Sequence, residues 1–393
     1  MTVMERAKLA GAAAMVTGLW AAERIRPSRG ARPGTVPGSP GDLTCDWLTG
    51  ALCGDVPGAR VVGFTVGAGS DGTSARRPLR VDYNEVGCDA HLPSALYTKS
   101  APSLLSRLFC GLNRIGQIEG AFYLEIAPEL KIETPTAYAA VGEQNSGRSL
   151  LILEDIVASR GVTFCDPTIT RVDREQADDM VDIMATYHRH FWGSPRLDSE
   201  FVWLIDSADW QRRLNEMMGF RRMFTNGLKR SRDILPRSLV ARESEMWPAL
   251  MRSLELDRGR PRTLLHQDAH SRNWYVTGEG RMGIYDWQAC GKGPWADDVS
   301  YALACGLSVE DRRLWERELL DRYVATLGAV APSREQAWLS YRQHIMHGLA
   351  YWLATIGRTM VQPVLQPHEV CVANVHRLGQ AAEDLQMLDA IGS

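Results

Sequence analysis

The chain has 393 residues, too many for one ordinary core, so two packed lobes are expected. Its net charge of −3 gives no reason to expect a nucleic acid or an anionic membrane as partner. The 8 Cys show no C-x-x-C pair and no metal-type spacing, so they are expected as reduced, mostly buried thiols in a cytoplasmic protein.

An apolar run from Leu9 to Ala22 follows Arg6 and Lys8. It is too short to span a bilayer, and Glu5 spoils it as a signal peptide, so a helix packed on the body or at an interface is expected, without stable membrane insertion. Residues 26–41 are rich in Pro, Gly and Arg and read as a linker. A short helix follows from Asp42 to Leu52, with Trp47 as an anchor. Residues 1–58 thus form an extension ahead of the first lobe.

Val61–Val66 and Leu79–Tyr83 read as strands joined by a glycine- and hydroxyl-rich turn. The turn contains Ser70, Gly72 and Thr73, whose backbone N–H groups can fold over phosphates; the plainer reading is a flexible hairpin. Leu96–Lys99 is a third strand, and Pro135–Val141 and Leu150–Leu153 complete five. The first lobe is expected over 59–156 and a mainly helical one over 157–393.

In the second lobe, Asp173–Trp192 carries apolar residues at helical spacing and includes His188, expected in a packing role. Residues 208–232 read as one helical stretch that turns basic. Segments near 309–328, 333–357 and 367–390 are also helical.

Residues 262–298 hold the densest chemistry. An apolar strand, Thr263–Leu265, runs into His266-Gln-Asp268-Ala-His-Ser-Arg-Asn273. Trp274–Val276 then turns at Gly278–Gly280 and returns as Met282–Tyr285, ending at Asp286. These polar residues suit phosphoryl transfer. Asp268 can orient a hydroxyl and accept its proton, while Asn273 and Asp286 can offer hard oxygens to Mg²⁺. His266 is expected to hydrogen-bond the loop backbone and hold Asp268 in place. No Gly-x₄-Gly-Lys-Ser/Thr occurs, which argues against a Walker-type nucleotide site.

This stretch resembles the aminoglycoside phosphotransferase and choline kinase-like family, small-molecule kinases with a protein-kinase-like fold. The family usually reads His-Gly-Asp; here Gln267 stands in the middle, and Gln288 stands where many members carry Glu. The Gln288 variant and Glu119-Gly-Ala-Phe122-Tyr123 resemble the ecdysteroid-kinase-like branch. The resemblance implies an α/β (α+β) bilobal fold, with a small five-stranded antiparallel N-lobe and a mainly helical C-lobe. It implies ATP and Mg²⁺ as cofactors, with γ-phosphoryl transfer to a hydroxylated small-molecule acceptor. It assigns Lys99 to the α- and β-phosphates and Glu119 to holding Lys99, with Glu125 as the alternative. Glu154 and Ile156 fall in the segment whose backbone meets adenine. Asp298 is expected to cap its helix and to brace the loop; Tyr341, His344, His347, Trp352 and Arg358 lie on the stretch that faces the acceptor.

The C-lobe lacks a dense acidic cluster, so an unidentified hydroxylated metabolite or natural product is favoured over an aminoglycoside or macrolide antibiotic. A catalytically inactive kinase-like scaffold is the rival from another class. A protein kinase is disfavoured, because the chain resumes a helix soon after Asp286 and leaves little room for an activation loop.

Overall fold

A computed structural model describes residues 3–25, 30–71, 74–359, 362 and 364–392. The chain forms two compact units: residues 1–129 with 134–162, and residues 130–133 with 163–393.

The first unit is built on an antiparallel sheet. Its strands are β1 (Val61–Val66), β2 (Ser70–Asp71), β3 (Ala75–Tyr83), β4 (Ala95–Ser100), β5 (Ala137–Glu143) and β6 (Arg148–Glu154). Five of them lie in the order β1-β3-β4-β6-β5, and the two-residue β2 pairs only with the end of β3. β3 shows why: Leu79, Val81 and Tyr83 are buried while Arg80 and Asp82 between them are exposed, the period of a strand with one covered face. Leu79, Val81, Leu96, Leu150 and Ile152 form one core with Trp47 and Leu48 of the helix Cys45–Leu52. Thr44 starts that helix by accepting a hydrogen bond from Trp47 N–H (3.1 Å), and the Trp47 indole donates to Thr35 O (2.8 Å). Helices Leu104–Asn113 and Ile115–Ala121 follow β4. The second packs closely on the sheet at Gly120, where a Cβ would stand 2.7 Å from that of Ala140. The helix Val3–Ile25 belongs to this unit too, with Val16 buried.

The second unit is mainly helical. Its long helices are Arg174–Phe191, Val309–Leu327, Arg334–Ile356 and His368–Asp384, around a shorter one, Ala296–Gly306, that is buried along its whole length. Six short strands make two small sheets. β7 (Thr163–Phe164), β10 (Trp274–Val276) and β11 (Met282–Ile284) form one; β8 (Ile205–Asp206), β9 (Thr263–Leu265) and β12 (Gly291–Gly293) form the other.

Two expectations need correction. The basic stretch 208–232 is two helices, Ser207–Met217 and Phe220–Arg230, broken at Gly219, whose φ of +64° is left-handed. Asp298 caps no helix: it lies within the first turn of Ala296–Gly306, and Trp295 at the N-cap makes no side-chain cap. Among the described residues no helix is long and apolar enough to cross a membrane. All eight cysteines are free thiols.

Candidate active site

In the first unit the Lys99 ammonium lies 2.7 Å from the Glu119 carboxylate, and both side chains are buried. β4 supplies the lysine and the helix Ile115–Ala121 the acid. Glu125 lies in the π-helical turn Phe122–Ile126 beyond it. The Glu154 side chain is engaged locally: it accepts from Arg160 Nε (2.9 Å), Ser159 Oγ (2.5 Å) and Thr136 N–H (3.3 Å). Burial opposes ionisation of Glu154, but Arg160 and Ser159 outweigh it and hold the carboxyl below its usual range. Ile156 is buried and opens a short helix capped by Asp155. Ser70 sits in the β2–β3 ladder opposite Arg76; Gly72 and Thr73 lie outside the described residues.

In the second unit β9 delivers the chain into the loop 266–273. Asp298, fully buried, accepts His266 N–H through Oδ2 (2.7 Å) and Gln267 N–H through Oδ1 (2.8 Å). The Tyr187 hydroxyl donates to the same carboxylate (2.8 Å), and His188 Nε2 lies 3.4 Å away. Burial alone would raise this carboxyl, yet His188, His266 and the loop N–H hold it ionised, below the usual range.

His266 uses both ring nitrogens. Nδ1 accepts Asp268 N–H (3.2 Å), so Nε2 carries the proton and donates to Tyr285 O (2.9 Å). Gln267 stands at φ +63°, the left-handed region that explains why glycine is usual there. Its side chain runs towards Ile205 O (3.4 Å) and fills the space over Gly291, where a Cβ would meet Gln267 Nε2 at 1.9 Å and Ile205 O at 2.5 Å. Gly291→Ala is therefore expected to destabilise the protein by about 1–3 kcal/mol through overpacking. Gln267→Gly in the same chain should recover only part of this, since the Ile205 carbonyl remains; denaturant melts of the single and double variants check it.

The loop 266–273 buries every side chain but those of Asp268 and Arg272. His266, Gln267, Ala269, His270, Ser271 and Asn273 are buried, while the Asp268 side chain keeps 29% of its surface exposed. Asn273 Nδ2 donates to Asp268 O (2.7 Å) and lies 3.3 Å from Oδ2, which leaves the Asn273 amide oxygen to face elsewhere. The ladder Trp274↔Ile284 continues with Tyr285 N–H on Asn273 O (3.0 Å), so Asn273 and Asp286 come from adjacent chain ends. Asp286 is buried at φ +64°, a conformation that Asp tolerates better than most residues. His270 Nδ1 accepts Arg272 N–H (3.1 Å), which turns Nε2 towards Asp268 Oδ1 at 3.6 Å. Burial, against the pull of Asp268, keeps the His270 ring neutral.

Beside this loop the second unit holds a partly open cavity of about 510 Å³, lined by Gln211, Arg258, Arg260, Asp297, His344 and His347 among others. His347 Nε2 lies 3.2 Å from Gln267 O, so the lining reaches the residue next to Asp268. Tyr351, its ring 4.8 Å from that of His347, has its phenol pushed well up by burial, then by Asp297 and Asp268.

Sequence reading missed one arrangement in the wall. His344 is clamped between Asp257 and Asp297, each 2.7 Å from a ring nitrogen. Burial alone would favour the neutral ring, but the two carboxylates push its pKa up to about 10. Of the acceptor-facing candidates, His344 and His347 line the cavity; Tyr341 instead bonds Glu316 (3.1 Å), Trp352 packs on His270, and Arg358 bonds Gln362 O (3.2 Å). The clamp gives a pH prediction. A folded pKa above the unfolded value of ~6.5 adds stability that is full below ~pH 6.5 and lost as pH rises towards about 10. The melting temperature should fall across that window, and His344→Leu should abolish the slope; an unchanged slope in the variant would refute the clamp.

The model of the phosphotransferase enzyme family, APH, matches residues 117–344, more than half of the chain. That span holds Glu119 and the whole of 262–298; Lys99 and the glycine-rich turn precede it. No curated protein matches the sequence. Among solved structures, a protein of Ralstonia eutropha JMP134 named as an aminoglycoside phosphotransferase shares the fold at 12% identity and TM-score 0.52, over 87% of this chain and 96% of that one. A microcompartment-associated aminopropanol kinase matches at 16% identity and TM-score 0.44 (84% of this chain, 94% of that one). A choline/ethanolamine kinase family protein of Mesorhizobium loti matches at 14% and 0.45 (84% and 92%). With a five-stranded antiparallel sheet ahead of a helical unit, and a family model spanning the loop that presents Asp268, the chain belongs to the phosphotransferase enzyme family and is a small-molecule kinase.

Proposed function

We propose that the protein transfers the γ-phosphoryl group of ATP to a hydroxyl of a small molecule in a Mg²⁺-dependent reaction. One observation carries the reading: in a loop whose other side chains except Arg272 are buried, Asp268 keeps a partly exposed carboxylate. Asp268 orients the acceptor hydroxyl and takes its proton as the oxygen attacks the γ-phosphorus. The bond to the β–γ bridging oxygen breaks and ADP leaves. His266 and Asp298 hold the loop backbone, so the carboxylate keeps its place without reorganising. Lys99, steadied by Glu119, neutralises the α- and β-phosphates. Glu154 and Ile156 serve adenine through their backbone, since the Glu154 carboxylate is already paired. The turn at Ser70 would cover the phosphates through backbone N–H groups; Gly72 and Thr73, assigned to the same task, lie outside the described residues.

The residues fit a divalent cation of the Mg²⁺ kind. The Asn273 amide oxygen and the Asp286 carboxylate are hard donors on adjacent chain ends, and no cluster of three or more His, Cys, Asp or Glu suited to a metal occurs among the described residues. Two protein oxygens suit an ion that draws its other ligands from phosphates and water. When bound, the ion would offset charge on the transferring phosphoryl group.

The cavity supports a hydroxylated metabolite or natural product over a polycationic aminoglycoside. Each carboxylate lining it is engaged: Asp257 and Asp297 hold His344, Asp209 pairs with Arg212, and Asp206 bonds Ala208 N–H and lies 3.6 Å from Arg262. A polycation would have to break these pairs. The test is acceptor-dependent ADP release with Mg-ATP across aminoglycosides, macrolides, sugars, amino alcohols and sterols, beside the Asp268→Asn protein. Turnover of a neutral polyol or sterol that the variant loses supports the reading. Selective turnover of aminoglycosides contradicts the acceptor class, and Mg-ATP binding without turnover on any acceptor points to an inactive scaffold.

A further inference from the structure

The helix Val3–Ile25 and the segment after it precede the matched family span, yet they reach the residues around Lys99. Glu23 is the point of contact. Its Oε2 lies 2.7 Å from Arg107 Nη1, and its Oε1 accepts Arg148 Nε (3.0 Å) and lies 2.8 Å from Arg148 Nη2. One carboxylate thus ties together two arginines from two different elements.

Each arginine leads to a strand beside Lys99. Arg107, only 3% exposed, donates through Nε to Ala101 O (3.2 Å), two residues beyond Lys99. Arg148 opens β6, which pairs with β4 through Lys99↔Leu151. Arg107 also belongs to the helix Leu104–Asn113, which a single residue, Arg114 at φ +57°, joins to the helix bearing Glu119. The extension adds further bonds at the same place. The Trp20 indole donates to Pro102 O (3.4 Å), Arg107 Nη2 reaches Gly38 O (3.5 Å), and Arg148 Nη1 reaches Val36 O (3.0 Å). Gly38 is fitted to the cluster, since a Cβ there would stand 3.0 Å from Asp42 Oδ2 and 3.2 Å from Arg107 Nη2.

A guanidinium as buried as that of Arg107 needs a counter-charge, and Glu23 supplies it. We propose that Glu23 is a positioning residue: through Arg107 and Arg148 it fixes the strand end after Lys99 and the helix pair leading to Glu119, and so sets the Lys99–Glu119 ion pair for nucleotide binding. This rests on the assignment of Lys99 to the phosphates.

The test is a double-variant cycle read by calorimetric binding of Mg-ADP to the full chain. The four proteins are wild type, Glu23→Gln, Lys99→Met and the double variant, with melting curves showing each folded at the assay temperature. Glu23→Gln is expected to weaken Mg-ADP about tenfold, within the ordinary range for coupled residues. In the Lys99→Met background the same change should cost less than about twofold, because the residue it positions is gone. Equal losses in both backgrounds would mean a general structural role and overturn the proposal, as would unchanged affinity in Glu23→Gln. Should Glu23→Gln fail to fold, Arg148→Gln takes its place in the cycle with the same expected pattern. Absence of Mg-ADP binding by wild type would instead overturn the nucleotide reading of Lys99, and the positioning role with it.

Discussion

Asp268→Asn is expected to lower kcat by about 10²–10⁴-fold while changing the Mg-ATP dissociation constant by less than about threefold. Asparagine fits the space, and the backbone bonds that fix position 268 do not involve the side chain: Asp268 N–H goes to His266 and Asp268 O receives Asn273. What disappears is the negative oxygen that accepts the hydroxyl proton. The roles differ, so the losses should differ. A parallel fall in turnover and nucleotide affinity would mean that Asp268 holds the nucleotide or its metal, and the assignment would be wrong. The measurement is kcat on the acceptor identified in the panel, with calorimetry of Mg-ATP on both proteins.

Asp298→Ala should be the most destabilising single change near the site. The carboxylate accepts His266 N–H, Gln267 N–H and the Tyr187 hydroxyl, all in a fully buried setting. Removing it strands three donors, each costing about 1–3 kcal/mol, so a loss of roughly 3–9 kcal/mol is expected. For a unit of this size, at roughly 2–4 °C per kcal/mol, that corresponds to a fall of at least about 6 °C in melting temperature. Turnover should fall too, because the loop that presents Asp268 loses its anchor. Asp298→Asn should not rescue: its amide offers one acceptor oxygen where the loop needs two, and its NH₂ faces another donor. A loss below about 1 kcal/mol in Asp298→Ala would show that the brace contributes little.

Local chemistry wrote much of this into the sequence. The period-2 alternation of β3, the His-x-Asp-x₄-Asn loop and the returning strand that ends at Asp286 all depend on neighbours in the chain. The family resemblance pairs Lys99 with Glu119, with Glu125 as the alternative, and the strand and the helices after it bring them within 2.7 Å. The parts that stayed hidden join distant residues. His344 collects Asp257 from 87 positions away and Asp297 from 47, whereas the Asp298 brace on His266, 32 positions back, is expected from the family resemblance. No spacing rule reports such pairs. Gln267 concealed a left-handed backbone that a glycine would have announced, and its partner Gly291 looked like any loop glycine. The break at Gly219 was missed because one glycine inside a basic, helix-compatible run is commonly tolerated. The Pro-, Gly- and Arg-rich segment read as a linker contributes Gly38 and Val36 carbonyls to the arginine cluster, which composition alone could not signal.

The most direct test of the central claim is a calorimetric titration of the full chain with Mg-ATP, repeated with EDTA and with the Asn273→Ala, Asp286→Ala double variant. The expected result is one site per chain, with affinity that falls sharply when the metal is chelated or its two protein ligands are removed. No binding by the wild-type protein, or binding indifferent to both the metal and the double variant, would contradict the account.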